Sequence, residues 1–255
     1  MENNKLSSIK SAPVNLVLSG GGFRGAFHLG VLAFLDEHEV KINAISGTSI
    51  GALIACSYAS GVKPREILDI FESKDFKKIL SFNFSLRSIF KVNLNAKVLN
   101  KLFLQRNLED LHTPVYITYS SLNDSQIIYK NNGNIVSQIL RSIALFPVFE
   151  TVDENSNIYM DGGIFDNLPL KPLKKNGHKV LGVNLHPITQ TNLKGFFSKL
   201  KRMFFLIWHA SVKDSIKDSD FYITNEELVK FNIFSQKNNL ELFDLGYESA
   251  RKKFS

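Results

Sequence analysis

The chain has 255 residues, 44% of them hydrophobic and 21 of them Phe, ample for one large core, and it holds no repeat, low-complexity tract or Pro/Gly/Ser linker. A lone cysteine, Cys56, excludes an internal disulfide, and no stretch approaches the ~18 continuous apolar residues of a membrane span. The net charge of +7 and pI near 9.3 favour anionic surfaces, nucleic acid or acidic lipid.

In chain order, the first dozen residues are polar and loose. Val14–Leu18 is far too short for the apolar region of a signal peptide and reads as a strand. Gly25–His38 is a helix with Phe27, Val31, Phe34 and Leu35 on one face. Ile42–Ser46 is a second strand and Ile50–Ala59 a small-residue helix in which Cys56 is a buried packing residue. Pro64 opens a helix that runs to about Phe71. Lys74 to Lys101, rich in Phe and Lys, has no clear period. Val115–Leu122 and Gln126–Lys130 alternate as strands, with Asn123-Asp124 as turn chemistry. Ile135–Leu145 is a helix stopped by Pro147, and Lys179–Leu185 is a late strand. Strands alternating with helices imply an α/β fold: a three-layer sandwich around a mainly parallel sheet, in one domain over 1–255. Sites in such sheets form beyond the carboxyl ends of the strands, where both glycine-rich turns fall.

The first of these turns, in "NLVLSGGGFRGAFHLG", admits two chemistries. Gly20, Gly22 and Gly25 spell G-x-G-x-x-G, the spacing of a dinucleotide-binding turn. That fingerprint expects an acid about 20 residues further on, and Ile42 to Gly51 contains none; no Walker Gly-Lys-Ser/Thr follows either. The alternative is a row of bare backbone amides that hold a developing negative charge. The second turn is Gly47-Thr48-Ser49-Ile50-Gly51, a G-x-S-x-G between strand and helix, the context of a nucleophile elbow; its bland alternative is a flexible turn. A serine nucleophile needs a base. Of the later histidines His112, His178, His186 and His209, His186 is best placed, at a strand end, yet none stands in a compelling acid–histidine arrangement. Asp161, in "IYMDGGIFDNLPL", follows an apolar strand end and precedes two glycines; as a bare dipeptide this is also a common turn.

Together these blocks resemble the patatin-like phospholipase family. The resemblance rests on Gly20-Gly21-Gly22-Phe23-Arg24-Gly25, on Gly47-Thr48-Ser49-Ile50-Gly51, on Arg141–Val152, and on Asp161-Gly162-Gly163 followed by Asn167-Leu168-Pro169. It runs from about Val14 to Leu185; the last 70 residues carry no recognised motif. The resemblance implies a Ser–Asp dyad needing no histidine, with Ser49 as nucleophile, Asp161 as general base and the Gly20, Gly21 and Gly22 amides as the oxyanion hole. Arg24 then anchors the loop or lends it positive potential; otherwise it is a surface cation. The implied activity is hydrolysis of fatty acyl esters of phospholipids or lysophospholipids through an acyl-Ser49 intermediate, with no cofactor, metal or nucleic acid. The alternatives are a general carboxylesterase or acyltransferase, and a lipid-binding regulatory module with a non-functional site.

Leu193–Ala210 places apolar residues at Leu193, Phe196, Phe197, Leu200, Met203, Phe204, Ile207 and Trp208, with Lys194, Lys199, Lys201 and Arg202 largely off that stripe. This is a basic amphipathic helix, suited either to an anionic membrane or to a core with its basic face in water. Lys77–Leu94 has a similar flavour and is a candidate lid. The expected location is cytoplasmic or peripheral to a membrane, and the oligomeric state stays open.

Overall fold

A computed structural model of the chain describes residues 3–78, 80–82, 90–92, 96–174, 177–189 and 194–255. Its strands are β1 (Val14–Leu18), β2 (Ile42–Thr48), β3 (Leu80–Phe82), β4 (Phe90–Val92), β5 (Val115–Ser121), β6 (Gln126–Lys130), β7 (Val152–Glu154), β8 (Asn157–Asp161), β9 (Val180–Val183) and β10 (Phe221–Ile223). Its helices are α1 (Asn3–Lys10), α2 (Ala26–Glu37), α3 (Ile50–Ala59), α4 (Pro64–Glu72), α5 (Lys74–Lys77), α6 (Ala96–Leu102), α7 (Ile135–Ile143), α8 (Gly163–Asp166), α9 (Phe196–Lys217) and α10 (Asn239–Phe254).

The strands β10, β9, β1, β2 and β5 lie side by side and parallel. Alternation along β1 sends Leu16 and Leu18 into a large core with residues of α2, α3 and α10. Val17 points the other way, into a smaller cluster with Leu168, Leu170, Leu173 and Val212 of α9. The sheet is thus covered on both faces, as the alternating pattern predicts. The helix expected over Gly25–His38 opens with a 3₁₀ turn, Gly22–Gly25, before α2 begins at Ala26. The second strand runs two residues further than expected, to Thr48.

The departure that matters for the site is antiparallel. β6 returns along β5 as a hairpin, pairing Ile117 with Lys130 through Ser121 with Gln126. On its other edge β5 pairs with β2 only as far as Thr118, opposite Thr48. β8 takes over that edge from above, running down antiparallel until Asp161 pairs with Tyr119. A strand has two edges, and β6 fills one, so β2 and β8 meet end to end on the other. β2 delivers Ser49 upward and β8 delivers Asp161 downward, one rung apart.

The last 70 residues, which lack a motif, are built into this frame. β9 and β10 extend the sheet, and α10 packs along α2. That crossing is close: a Cβ on Gly246 would lie 2.1 Å from the Phe27 carbonyl oxygen, and one on Gly30 would lie 1.9 Å from that of Phe243.

Candidate active site

Ser49 leaves β2 with φ 56° and ψ −123° and enters α3 at once. A positive φ on a non-glycine residue is strained and persists only where surrounding contacts impose it. Here the Ser49 amide donates to the Ser142 hydroxyl at 2.8 Å, and that hydroxyl donates to the Thr118 carbonyl of β5 at 2.7 Å. The turn also presses α3 against β1: a Cβ on Gly51 would lie 2.3 Å from the Leu18 carbonyl oxygen, so glycine is required there.

Asp161 ends β8 almost fully buried. Its Oδ1 accepts the Gly163 amide at 2.8 Å. Burial pushes its pKa up from 3.8 to about 6, and the hydrogen-bonding interactions with the Gly163 amide and the Ser49 hydroxyl offset part of that rise. A carboxyl in this state is a stronger base than an exposed aspartate and is still largely ionised at neutral pH.

The glycine turn lies beside Ser49. Gly20 is stitched to the segment after Asp161: its amide donates to the Asn167 carbonyl at 3.2 Å, and Asn167 Nδ2 donates back to the Gly20 carbonyl at 3.4 Å. The Gly20 amide is therefore occupied. The amides of Gly21 and Gly22, which line the same cavity as Ser49, have no acceptor among the described residues. Gly22 has φ 59°, and a Cβ on it would lie 2.2 Å from the Ile233 carbonyl oxygen. That oxygen accepts the next amide, from Phe23, at 2.9 Å.

The surface-cation alternative for Arg24 is overturned. The side chain is buried, donating from Nε and Nη2 to the Phe231 carbonyl at 3.0 and 2.8 Å and from Nη1 to the Leu185 carbonyl at 3.0 Å. Its planar fork suits three carbonyl contacts. Burial lowers its pKa to about 10, so it stays charged. Arg24 ties the glycine turn to the end of β9 and to the C-terminal segment.

Ser49, Asp161 and Gly20–Gly22 open onto one cavity of about 1200 Å³, its open mouth included. Its walls are apolar: Leu99 and Leu102 of α6, Ile139 and Ile143 of α7, and Trp208 of α9 among them. Of the four histidines weighed in the sequence, only His186 lines it. His186 is buried and packs its ring against Trp208 with centroids 5.1 Å apart. Burial, with the Arg24 charge, pushes its pKa down to about 3, so it is neutral. His178 instead bonds the Pro13 carbonyl, and His112 meets Gln105 at the surface. The candidate lid over Lys77–Leu94 lies largely outside the described residues; within it β3 and β4 pair as an antiparallel ladder.

Several contributors escaped the sequence reading. Ser142 lies inside the recognised Arg141–Val152 block, but nothing local marks its hydroxyl as the acceptor for Ser49. Trp208, Ile233 and Phe234 wall the cavity from the motif-free C-terminal part. Only the amphipathic pattern around Trp208 gave any signal.

The description "Patatin-like phospholipase" matches residues 16–174. Over 198 residues the chain is 26% identical to lysophospholipase NTE1 of Cryptococcus neoformans, covering 72% of this chain and 12% of that protein. Over 205 residues it is 26% identical to human patatin-like phospholipase domain-containing protein 6, covering 76% of this chain and 15% of that one. It thus spans a small fraction of the length of the curated relatives it matches. Among solved structures, VipD from Legionella pneumophila superposes with a TM-score of 0.60 at 15% identity, over 95% of this chain and 66% of that one. The type III effector protein ExoU superposes with a TM-score of 0.52 at 14% identity, over 95% and 53%. These two likenesses concern the fold. The family pattern covers more than half of the sequence and contains the three blocks that the sheet brings to one cavity, and on that ground the chain belongs to the patatin-like phospholipase family.

Proposed function

We propose that this chain is a serine lipid acyl hydrolase that releases fatty acid from phospholipids or lysophospholipids through a Ser49–Asp161 dyad. The observation that carries the reading is the meeting of a strained serine, a buried carboxylate and two amides without acceptors among the described residues at one mouth of an apolar cavity. The names of the relatives, a lysophospholipase among them, support the substrate class.

In the proposed reaction the acyl chain lies along the apolar wall of α6 and α7, with its ester carbonyl over Ser49. Asp161 takes the Ser49 proton as the hydroxyl attacks. The oxyanion is held by the amides of Gly21 and Gly22, each such donor lowering the barrier by roughly 3 kcal/mol. Gly20 serves by its lack of a side chain and by its bonds to Asn167. Collapse of the intermediate expels the alcohol, which recovers the proton from Asp161. Water, deprotonated by the same carboxylate, then cleaves the acyl-serine. His186 is neutral and takes no part in this proton relay; its place is against Trp208. The whole chain, 1–255, acts as one catalytic domain in this reading, because Trp208, Ile233 and Phe234 complete the cavity.

The test is fatty acid release from lysophosphatidylcholine and phosphatidylcholine, followed by mass spectrometry. Ser49→Ala is expected to lower kcat on the order of 10⁴-fold or more and to abolish labelling by a fluorophosphonate. Wild-type turnover by Ser49→Ala would end the proposal. Equal turnover of short water-soluble esters, with no gain on lipid aggregates, would reassign the site to a general carboxylesterase.

A further inference from the structure

α9 leaves part of its apolar stripe on the outside. Phe196, Leu200, Met203, Ile207 and Ala210 follow the 3–4 spacing of a single helix face, and all are exposed: Phe196 by 72%, Met203 by 48% and Ile207 by 40%. Of the stripe read from the sequence, Trp208 turns inward while Phe196, Leu200, Met203 and Ile207 stay outward. The inward face is made by Trp208 together with Phe205, Val212 and Ser215; Val212 packs on the sheet and Trp208 walls the cavity. Leu193 lies outside the described residues, and so do the side chains of Phe197, Lys201 and Phe204. Exposed Lys199, Lys213 and Lys217 flank the apolar face along one side. An exposed row of large hydrophobic side chains bordered by lysines is complementary to a surface that is apolar within and anionic at its edge.

The helix is also wired to the site. The Ser211 hydroxyl accepts the Asn167 amide at 3.2 Å and shares its proton between the Trp208 carbonyl at 2.8 Å and the Gly163 carbonyl at 3.3 Å, while the Trp208 ring packs against His186 beside the glycine turn. The same 22-residue helix therefore presents one face outward and forms part of the cavity wall with the other. No helix among the described residues is long and apolar enough to cross a membrane, so α9 can lie on a bilayer rather than through it.

We propose that the outward face of α9 is the docking surface of this protein for an anionic lipid bilayer, with Leu200, Met203 and Ile207 entering the acyl region and Lys199, Lys213 and Lys217 pairing with lipid phosphates. The inference rests on the lipid-hydrolase reading for the kind of surface involved, and docking sets the cavity mouth, through Trp208 and Ser211, against the layer that supplies substrate.

The test uses full-length Ser49→Ala protein, so that binding is read without turnover. Co-flotation is measured with vesicles of phosphatidylcholine alone and of phosphatidylcholine mixed with phosphatidylserine. The expected result is partitioning into the mixed vesicles at least roughly tenfold above the neutral ones, falling as salt rises. Adding Leu200→Glu, Met203→Glu and Ile207→Glu is expected to lower partitioning roughly tenfold or more, and so is adding Lys199→Glu, Lys213→Glu and Lys217→Glu in place of them. Circular dichroism and thermal melts establish that each variant is folded; the lysine set keeps the test decisive if the apolar set does not fold. Equal flotation of parent and variants, or no flotation of the parent, overturns the proposal. So does a dimer that the apolar variants dissociate while flotation is unchanged, which assigns the face to a second copy. Docking without lipid turnover by the wild-type protein would refute the hydrolase reading alone.

Discussion

At Ser49 a φ of 56° is held by one relay, from its amide to the Ser142 hydroxyl and on to the Thr118 carbonyl. Truncating Ser142 leaves a buried donor and a buried acceptor without partners, which costs about 1–3 kcal/mol. Ser142→Ala is expected to lower the unfolding free energy by that amount in denaturant titrations and to lower kcat, because the strained turn relaxes. An unchanged midpoint and rate would show that the turn is held by α3 alone. Gly22 is the stricter case. A methyl group there meets the Ile233 carbonyl oxygen at 2.2 Å on a backbone that side chains rarely adopt, so the turn must shift. Gly22→Ala is expected to reduce kcat/KM roughly a hundredfold through displaced amides, with the Ser49 turn intact. Wild-type kcat/KM in that variant would remove Gly22 from the oxyanion hole.

Among elements, the meeting of β2 and β8 on one edge of β5 does most for function, because it brings residues 112 positions apart to neighbouring rungs. Their alignment depends on β6, which fills the opposite edge and leaves β8 one place to pair. The pairing of α10 with α2 is the main closure at the other side of the sheet. Phe243 and Phe254 are buried in it, and the Phe34 ring stacks near Phe254 with centroids 6.0 Å apart. The helices approach closely only because Gly30 and Gly246 lack side chains. Gly246→Ala is expected to cost about 1–3 kcal/mol by forcing the helices apart, seen as a lower thermal midpoint. The substitution is remote from Ser49, so kcat below that midpoint is expected to hold.

For the whole molecule the ionisation of Asp161 links activity to stability with opposite signs. In the proposed reaction Asp161 works only when ionised, so kcat/KM is expected to rise with pH and level off above about 6. Stability moves the other way. Below 3.8 the carboxyl is protonated in both folded and unfolded chains. Between 3.8 and 6 the unfolded chain releases the proton that the folded chain still holds, so stability falls as pH rises through this window. Above 6 the penalty is complete, at roughly 3 kcal/mol. Asp166, raised to about 6 by burial although the hydrogen bond from the Tyr129 hydroxyl offsets part of the rise, adds in the same direction. Asp161→Asn is therefore expected to be inactive and yet to melt higher than wild type at pH 8, with the gain vanishing below pH 3.8. A variant that melts lower at pH 8 would refute the buried, ionised base.

Much of this was legible in the residues. Val14–Leu18 and Ile42–Ser46 are apolar runs that meet glycine-rich turns, and such turns obey local sterics: a strand can pass into a helix over one residue only where its neighbours are small. Ser49, Asp161 and the glycine row stand out as turns for that reason, while the roles proposed for them come from the resemblance to the family. The antiparallel entry of β8 was not legible, because strand pairing is a contact between distant segments and leaves no spacing in either. Arg24 read equally as a surface cation, since its acceptors are carbonyls of Leu185 and Phe231, and carbonyls are the same in every residue. The stripe of α9 was visible as a period of 3–4 residues, but periodicity states only that two faces differ. Which face meets the sheet is settled by packing: Val212 and Trp208 found partners on the protein, and Met203 and Ile207 were left in the solvent.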